Sequence, residues 1–307
     1  MGAYAMSVSN DALENRVLIG VEKDDETMAL PHFPGIRVSK SEFGRMFWDP
    51  NGAEFEFMIK HLTAASNSYG MIMNSFEELE SVFVDYYNRE AKSKVWCVGP
   101  PCLAEPSTIN EKTQISAEQE IAIGLEESEA NFLWVIRKDE WEVGEGFEER
   151  VKERGIVVRE WVDQREILLH KSVEGFLSHC GWNSLLESIY AGVPILAWPM
   201  MAEQPLNAKL VVEEIKVVLR VERCDGFLKR EELKKKVREL MEGENSKELR
   251  KNVKDLSEAA NKAMEEENGL SWSTLDWLIH EAWVFHLVPL PSRCRCNPNV
   301  FSKFNIE

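Results

Sequence analysis

The 307-residue chain has no long hydrophobic run, no excess of positive charge and no complete dinucleotide-binding turn. Its longest apolar runs fall well short of the about 20 residues that span a bilayer, so no membrane helix is expected. Its formal net charge of −17 opposes binding to a phosphate backbone, so nucleic acid is not an expected partner. A nicotinamide-dependent oxidoreductase needs a G-x-G-x-x-G turn. Gly144-Glu145-Gly146 lacks the third glycine and is interpreted as a surface loop.

Cysteine is scarce, and the pattern of a metal site is missing. The six cysteines are scattered and no N-x-S/T sequon occurs, which predicts a reducing, cytoplasmic setting. The first residues show neither the basic leader nor the apolar core of a secretory signal. His179 and Cys180 are adjacent, but no second ligand pair follows at the spacing of zinc sites, so no metal is expected.

The most informative segment is the 44-residue block from Trp161 to Gln204, which contains W-x-x-Q, H-C-G-W-N-S and P-M-x-x-E-Q. Apolar residues over Val173–Ser178 predict a buried strand, and helical spacing over Asn183–Ala191 predicts a helix. A tight turn at 179–182 joins the two. Strand, turn and helix in this order place a helix N-terminus at the edge of a parallel sheet, where open α/β folds bind ligands.

The residues of this block indicate a nucleotide-sugar site. Gly181 lets a ligand approach the backbone, and the first N–H groups of the following helix attract a diphosphate. Glu187 lies about one helical turn after Asn183, where its carboxylate could accept hydrogen bonds from two ribose hydroxyls. Trp161 and Gln164 follow a second strand-like run, Ile156–Val158. The indole of Trp161 therefore offers a stacking surface for a base, worth about 1–3 kcal/mol.

The block resembles the signature segment of the plant secondary-product UDP-glycosyltransferases. The resemblance implies that Trp161 stacks on uracil while the backbone of Val162 reads its edge, and that Gln164 and Glu187 bind ribose. It assigns the diphosphate to His179, Asn183 and Ser184, beside Gly181, and the hexose hydroxyls to Trp182, Glu203 and Gln204. The Gln at the end of the block is the residue found in family members that use glucose, and Glu203 stands where many members have Asp. The resemblance extends over about residues 1–281, through the segments Met71–Leu79, Val95–Pro101, Ile121–Arg137 and Gly155–Trp161.

The family resemblance implies an α/β protein with two Rossmann-like domains of the GT-B type. The implied divisions are an incomplete N-terminal acceptor-side domain at 1–105, a UDP-sugar donor domain at 106–262, a helix at 263–281 that returns to the N-terminal domain, and a tail at 282–307. Within the second division, the Lys- and Glu-rich run Lys229–Lys254 predicts an amphipathic helix pair. No cofactor is expected, because the UDP-sugar is a co-substrate.

The chain departs from the family at three places. Members carry a catalytic histidine and a supporting aspartate in a longer N-terminal region, so a truncated chain without a catalytic base is expected. Between Pro106 and Ser116 the first, central strand of the donor domain is missing, and one hypothesis is that Lys94–Gly99 replaces it; the other is a poorly folded product. The segment from Ala282 onward has no clear period and is expected to be loosely packed.

Two classes of function remain open on the sequence. The first is an inverting, metal-independent transfer of a hexose, glucose by the resemblance, from UDP to a hydroxyl of a small plant metabolite such as a phenolic. The second is a catalytically silent UDP-sugar binder or truncated isoform. The signature block favours the first class, and the absence of a histidine in the expected context favours the second.

Overall fold

Short apolar strands alternate with longer amphipathic helices along the chain, which is the pattern of an α/β protein. The computed structural model describes residues 2–49, 51, 53–66, 68–90, 94–100, 117–136, 146–221, 223–224, 227–266 and 268–287. The helices are α1 (Ala3–Glu14), α2 (Ala53–Ser66), α3 (Glu77–Glu90), α4 (Ala117–Ser128), α5 (Phe147–Val151), α6 (Gln164–Leu168), α7 (Trp182–Ala191), α8 (Gln204–Lys209), α9 (Arg230–Glu242), α10 (Ser246–Ala263) and α11 (Leu270–Leu287). The strands are β1 (Met28–Ala29), β2 (Arg37–Val38), β3 (Gly70–Met73), β4 (Lys94–Cys97), β5 (Phe132–Val135), β6 (Gly155–Val158), β7 (Phe176–Ser178), β8 (Ile195–Ala197), β9 (Val218–Arg220), β10 (Arg223–Cys224) and β11 (Phe227–Leu228).

The N-terminal part is built around the parallel pair β3–β4, with α1 packed on α3. Tyr4 and Phe83 join these helices in the core, with ring centroids 4.8 Å apart and planes at 85°, an edge-to-face arrangement that aromatic rings favour. Every residue of β4 pairs with β3, and the Val98 N–H continues the pairing by donating to the Met73 carbonyl at 3.0 Å. The hypothesis that Lys94–Gly99 moves into the donor sheet is therefore wrong, because among the described strands β4 pairs with β3 alone, in a two-stranded sheet separate from those of the C-terminal part.

The C-terminal part contains two parallel sheets, the pair β5–β6 and the triplet β7–β8–β9. Trp134 of β5 and Leu177 of β7 pack on the same apolar cluster, which includes Leu233 and Val237 of α9. The two sheets therefore share one helical layer, although within the described ranges β5 and β7 do not pair with each other. In the doubly wound order the first strand lies between the positions of β5 and β7, and the sequence predicts that this strand is missing. The segment concerned, residues 106–116, lies outside the described residues.

Three strands bring the signature block to one edge of the C-terminal part. Trp161 follows the end of β6, the turn at 179–182 follows β7, and Gln204 follows β8. The carboxyl ends of parallel strands share one sheet edge, so these residues are gathered there. The predicted strand before the turn is shorter than expected, since only Phe176–Ser178 pair, whereas the predicted helix after it begins one residue earlier, at Trp182.

The remaining helices follow the sequence prediction with one correction. The expected amphipathic pair is present as α9 and α10. Helix α11 returns to the N-terminal part, where the rings of Trp277 and Trp96 lie 5.9 Å apart. This helix continues to Leu287, so residues 282–287 are helical although their sequence has no clear period, and the loose packing expected of this segment stays a prediction. The reason is that no Pro or Gly interrupts the helix before Pro289. Residues 288–307 lie outside the described residues.

A buried ion pair joins α8 to the N-terminal part. The ammonium of Lys209 lies 3.1 Å from Oε1 of Glu42, and both side chains are only 10% exposed. The other oxygen of Glu42 accepts the main-chain N–H of Ser39 at 2.8 Å. Glu213 is a second partner of Lys209 at 3.2 Å, but it is 48% exposed. The pair with Glu42 is therefore the one that connects the two parts of the chain in a dry environment.

We predict that Lys209→Met lowers the free energy of unfolding by about 1–2 kcal/mol, because it leaves the buried Glu42 carboxylate without its cation. Urea unfolding at neutral pH measures the change. The matched control is Glu213→Gln, which removes the exposed partner of the same lysine and should change stability by less than about 1 kcal/mol. Equal losses for both variants would contradict the assignment of the stabilising pair to Glu42.

Candidate functional site

The turn between β7 and α7 is held in one conformation by contacts from β7, from α8 and within the turn itself. Cys180 has a φ of 66°, and its N–H is bound by the Ser178 hydroxyl at 3.1 Å. Asn207 of α8 donates to the Cys180 carbonyl at 3.1 Å. The imidazole of His179 lies directly against Gly181, where a Cβ atom would approach its Nε2 to 2.5 Å. A larger residue at 181 would therefore displace the His179 ring from its position beside the start of α7.

The N-terminus of α7 has the electrostatic properties of an anion site. Gly181 supplies no capping side chain, and the first turn of the ten-residue helix contains no acidic residue. Its first N–H groups carry partial positive charge and lack partners within the helix. Asn183 is exposed and Ser184 is half-buried at this end. A phosphate placed here would meet main-chain and side-chain donors together.

Gln164, Ser184 and Glu187 form a polar cluster beside that helix end. The Gln164 amide donates to Oε2 of Glu187 at 2.6 Å and to the Ser184 hydroxyl at 3.2 Å. Asp163 fixes the position of Gln164 by capping α6, since its carboxylate accepts the N–H groups of Arg165 and Glu166 at 3.0 and 3.2 Å. The resemblance implies that Gln164 and Glu187 both bind ribose, and the fold brings them into contact over 23 residues of chain.

The aromatic residue at the start of the block is exposed. Trp161 has 58% of its surface accessible, which is unusual for the largest apolar side chain. Val162, next to it, is half-buried and lies in the link between β6 and α6, so its main-chain groups are not engaged in a strand or helix. The indole of Trp161 thus offers a face to a planar ligand near the Gln164 cluster.

The three residues that the resemblance assigns to a hexose differ in how they are placed. Trp182 is buried, and its indole N–H donates to the main-chain carbonyl of Asn74 at 2.6 Å. Gln204 is buried, and its Oε1 accepts the N–H groups of Met200 and Met201 at 2.9 and 3.0 Å. Glu203 is half-buried at the N-terminus of α8. A ligand can therefore contact Trp182 only through its main-chain amide, and Gln204 only through its Nε2.

The N-terminal part contributes two residues that the sequence reasoning missed. Gly2 lies against the indole of Trp182, where a Cβ atom would come within 2.6 Å of the ring. Asn74 accepts from Trp182 and donates to Asn183 at 3.1 Å. The signal for Asn74 was available, because it directly follows β3, at the carboxyl end of a parallel strand.

A half-exposed histidine with a buried carboxylate lies away from this site. His32 has its Nδ1 2.9 Å from Oδ1 of Asp11, and its main-chain N–H donates to Oδ2 at 2.9 Å. Asp11 is nine residues from Gly2, the N-cap of α1, which touches Trp182. At 1.5 Å per residue the distance along the helix is about 13 Å. The pair therefore fixes the loop after β1 to α1 rather than serving the signature block.

The described residues contain no cluster of three or more His, Cys, Asp or Glu side chains that could hold a metal ion. Two of the cysteines, Cys97 and Cys180, are buried free thiols. Burial raises the pKa of each to about 12, so neither is a thiolate at neutral pH. The loop interpretation of Gly144-Glu145-Gly146 falls largely outside the described residues.

Comparison with known proteins identifies the family of this chain. The family described as UDP-glucoronosyl and UDP-glucosyl transferase matches residues 106–263. UDP-glycosyltransferase 90A1 of Arabidopsis thaliana is 47% identical over 319 residues, which cover 92% of this chain and 67% of that protein. UDP-glycosyltransferase 90A2 of the same plant is 45% identical, over 92% of this chain and 68% of its own length. The chain belongs to the UDP-glycosyltransferase family.

Solved structures show that this glycosyltransferase has the GT-B fold. Glycyrrhiza uralensis UGT73P12, complexed with glycyrrhetinic acid 3-O-monoglucuronide, is similar with a TM-score of 0.84 at 30% identity, over 94% of this chain and 68% of that one. Phytolacca americana UGT2, complexed with UDP-2fluoro-glucose and pterostilbene, has a TM-score of 0.80 at 30% identity, over 92% and 70% of the two chains. The predicted family and fold are thereby confirmed, and the reaction class is glycosyl transfer from a UDP-sugar to a small molecule. Among the described helices of the glycosyltransferase, none is long and apolar enough to cross a bilayer.

The glycosyltransferase should bind uridine in a pH-dependent way. Burial raises the pKa of the Glu187 carboxyl, against an opposing hydrogen bond from Gln164. A carboxylate that accepts ribose hydroxyls must be ionised, so protonation weakens binding as the pH falls through this raised pKa. We predict that uridine affinity, measured by calorimetry, decreases on acidification from neutral pH, and that the decrease begins at a higher pH than an ordinary glutamate would give. Uridine is the probe because it has no phosphate to titrate.

The control for this pH effect is Glu187→Gln, in which the ionisable group is removed and the side-chain volume is kept. Uridine should bind this variant more weakly at neutral pH, with little further change on acidification. The same loss of uridine affinity at low pH in both proteins would show that a group other than Glu187 causes the pH dependence.

Proposed function

We propose that this glycosyltransferase uses a UDP-hexose, with glucose as the sugar, and transfers the hexose with inversion to a hydroxyl of a small plant metabolite such as a phenolic. The observation that carries the proposal is the contact of Gln164 with both Ser184 and Glu187, beside the exposed Trp161 and the N-terminus of α7. This arrangement brings together a stacking surface, a pair of ribose ligands and a phosphate-binding site.

The nucleoside occupies the side of the site formed by α6 and its preceding link. Uracil stacks on the exposed indole of Trp161 while the main chain of Val162 reads its edge, a contact worth about 1–3 kcal/mol. The Glu187 carboxylate accepts the ribose hydroxyls together with the existing hydrogen bond from Gln164. Both free hydroxyls are then engaged, which favours a ribonucleotide.

The diphosphate lies at the start of α7. Asn183 and Ser184 donate from the helix, and His179 donates from the turn that Gly181 keeps open. These donors and the helix N-terminus meet the negative charge that develops on UDP as the anomeric bond breaks. A metal ion is therefore not required by this proposal.

The hexose extends toward α8, where Glu203 binds hydroxyls through its carboxylate. The Oε1 of Gln204 is fixed by Met200 and Met201, so its Nε2 is the group that donates to the sugar. The main-chain amide of Trp182 is the third contact, because its indole N–H is bound to Asn74.

Inverting transfer requires an acceptor oxygen to attack the anomeric carbon opposite the departing UDP, with a base to remove its proton. Two described histidines are placed for other tasks, since His32 is paired with Asp11 and His61 bonds the Phe57 carbonyl on α2. His179 is assigned to the diphosphate. We therefore propose that the chain, as given, binds the donor well and turns it over slowly. The alternative, favoured by the same observation, is a catalytically silent UDP-sugar binder.

The test is a transfer assay with UDP-glucose, UDP-galactose and UDP-glucuronate against a panel of small phenols, with products detected by mass spectrometry and the anomer assigned by NMR. A β-glucoside formed from UDP-glucose supports the proposal. UDP-sugar binding without product on any acceptor supports the silent binder. An α-linked product contradicts inversion, and failure to bind UDP contradicts both functions.

A further inference from the structure

One residue of the N-terminal part contacts both residues that begin α7. The main-chain carbonyl of Asn74 accepts the indole N–H of Trp182 at 2.6 Å, and its side-chain amide donates to Oδ1 of Asn183 at 3.1 Å. These contacts join positions 108 and 109 residues apart in the chain. Asn74 thus bridges the N-terminal part to the helix end that the proposed function assigns to the diphosphate.

The contact fixes which side of the Asn183 amide faces outward. A carboxamide has one oxygen, which only accepts, and one nitrogen, which only donates. Because Asn74 donates to the oxygen of Asn183, the nitrogen of Asn183 is the group left for a ligand. A donor there attracts a phosphate, whereas the reversed amide would present an oxygen and repel it.

Asn74 is itself held in place. It directly follows β3, and Gly99 packs so closely against its side-chain amide that any larger residue at 99 would collide with it. The Gly99 N–H donates to the Ser75 carbonyl at 2.8 Å, so the residue that follows Asn74 is also bound to Gly99. The Oδ1 of Asn74 is buried without a hydrogen-bond partner. A buried oxygen without a partner costs stability.

We propose that Asn74 is a positioning residue for donor binding, which orients the Asn183 amide so that its nitrogen faces the diphosphate. The proposal rests on the proposed function, because it assumes that UDP occupies the N-terminus of α7. Asn74 does not touch the ligand. Its effect passes through Asn183, and therefore concerns the phosphates and not the nucleoside.

The experiment compares UDP and uridine binding by calorimetry in the wild type, Asn74→Leu, Asn183→Ala and the double variant. Leucine keeps the approximate volume and the main-chain carbonyl that binds Trp182, and removes the amide donor together with the unpartnered Oδ1. We expect Asn74→Leu to weaken UDP binding about three- to tenfold and to leave uridine binding unchanged. In the Asn183→Ala background the same substitution should change UDP affinity by less than about twofold.

The control is Asn252→Leu, which removes a similar exposed amide bond, to the Lys216 carbonyl, away from the site. Asn74→Ala replaces Asn74→Leu if the leucine variant does not fold. Equal weakening of UDP and uridine, or the same loss of UDP affinity with and without Asn183, would overturn the proposal in favour of a general structural role. A wild type that binds neither UDP nor uridine would instead refute the proposed function itself.

Discussion

Trp182→Ala should lower the free energy of unfolding by about 3–5 kcal/mol, the range for truncating a large buried aromatic residue. Trp182 is 5% exposed, packs against Gly2 and donates its indole N–H to Asn74. It therefore joins the first residue of α7 to the N-terminal part. Its removal creates a cavity at that junction and leaves the Asn74 carbonyl without its donor. Urea unfolding followed by circular dichroism measures the loss.

Two further variants separate the causes of this loss. Trp182→Phe keeps most of the apolar volume but removes the hydrogen bond, and should cost about 1–2 kcal/mol. Trp161→Ala removes an indole that is 58% exposed, so stability should change by less than about 1 kcal/mol while UDP affinity falls. If Trp182→Ala and Trp161→Ala were equally destabilising, the division between a structural and a ligand-facing tryptophan would be wrong.

Glu187→Ala should weaken UDP binding by about 1.5–3 kcal/mol, because it removes a charged acceptor of the ribose hydroxyls. This corresponds to about a 10- to 150-fold increase in Kd. The variant also releases the Gln164 amide from its 2.6 Å bond with the carboxylate, so the second ribose ligand loses its orientation. Calorimetric titration with UDP at neutral pH gives the affinity directly.

The matched control for Glu187→Ala is Glu166→Ala, which removes an exposed carboxylate from the neighbouring helix α6. Its effect on UDP affinity should be within about twofold, since exposed charges are screened by solvent. A second control is 2′-deoxy-UDP, whose affinity should depend less on Glu187 than that of UDP. An unchanged affinity for UDP in Glu187→Ala would return this residue to the role of a solvated helix carboxylate.

The local features of the site were predictable because they depend on neighbouring residues. Gly181 between an apolar run and a helical pattern predicts the turn and the open helix end. The four-residue spacing of Asn183 and Glu187 places both on one side of α7. These relations use only strand and helix geometry, and the structure has the helix after Gly181 where they predict it.

The long-range features could not be read from the sequence. The bonds of Asn74 to α7 and of Lys209 to Glu42 cross more than 100 residues, and no local pattern encodes such a contact. The hypothesis for Lys94–Gly99 failed for the same reason, since strand pairing is decided by tertiary packing, which here joins β4 to β3. Trp182 was assigned to a sugar by motif alone, without a signal that its indole is buried.

Thermal unfolding of the 307-residue chain with and without saturating UDP tests the account most directly, with ADP as the nucleotide control. UDP at about one hundred times its Kd should add about 2.7 kcal/mol to the stability of the folded chain, a rise in Tm of about 4 °C for a chain of this length. The account predicts a cooperative transition that moves with UDP and not with ADP. A transition that is indifferent to UDP, or that responds equally to ADP, would contradict a uridine-specific site built from Trp161, Gln164 and Glu187.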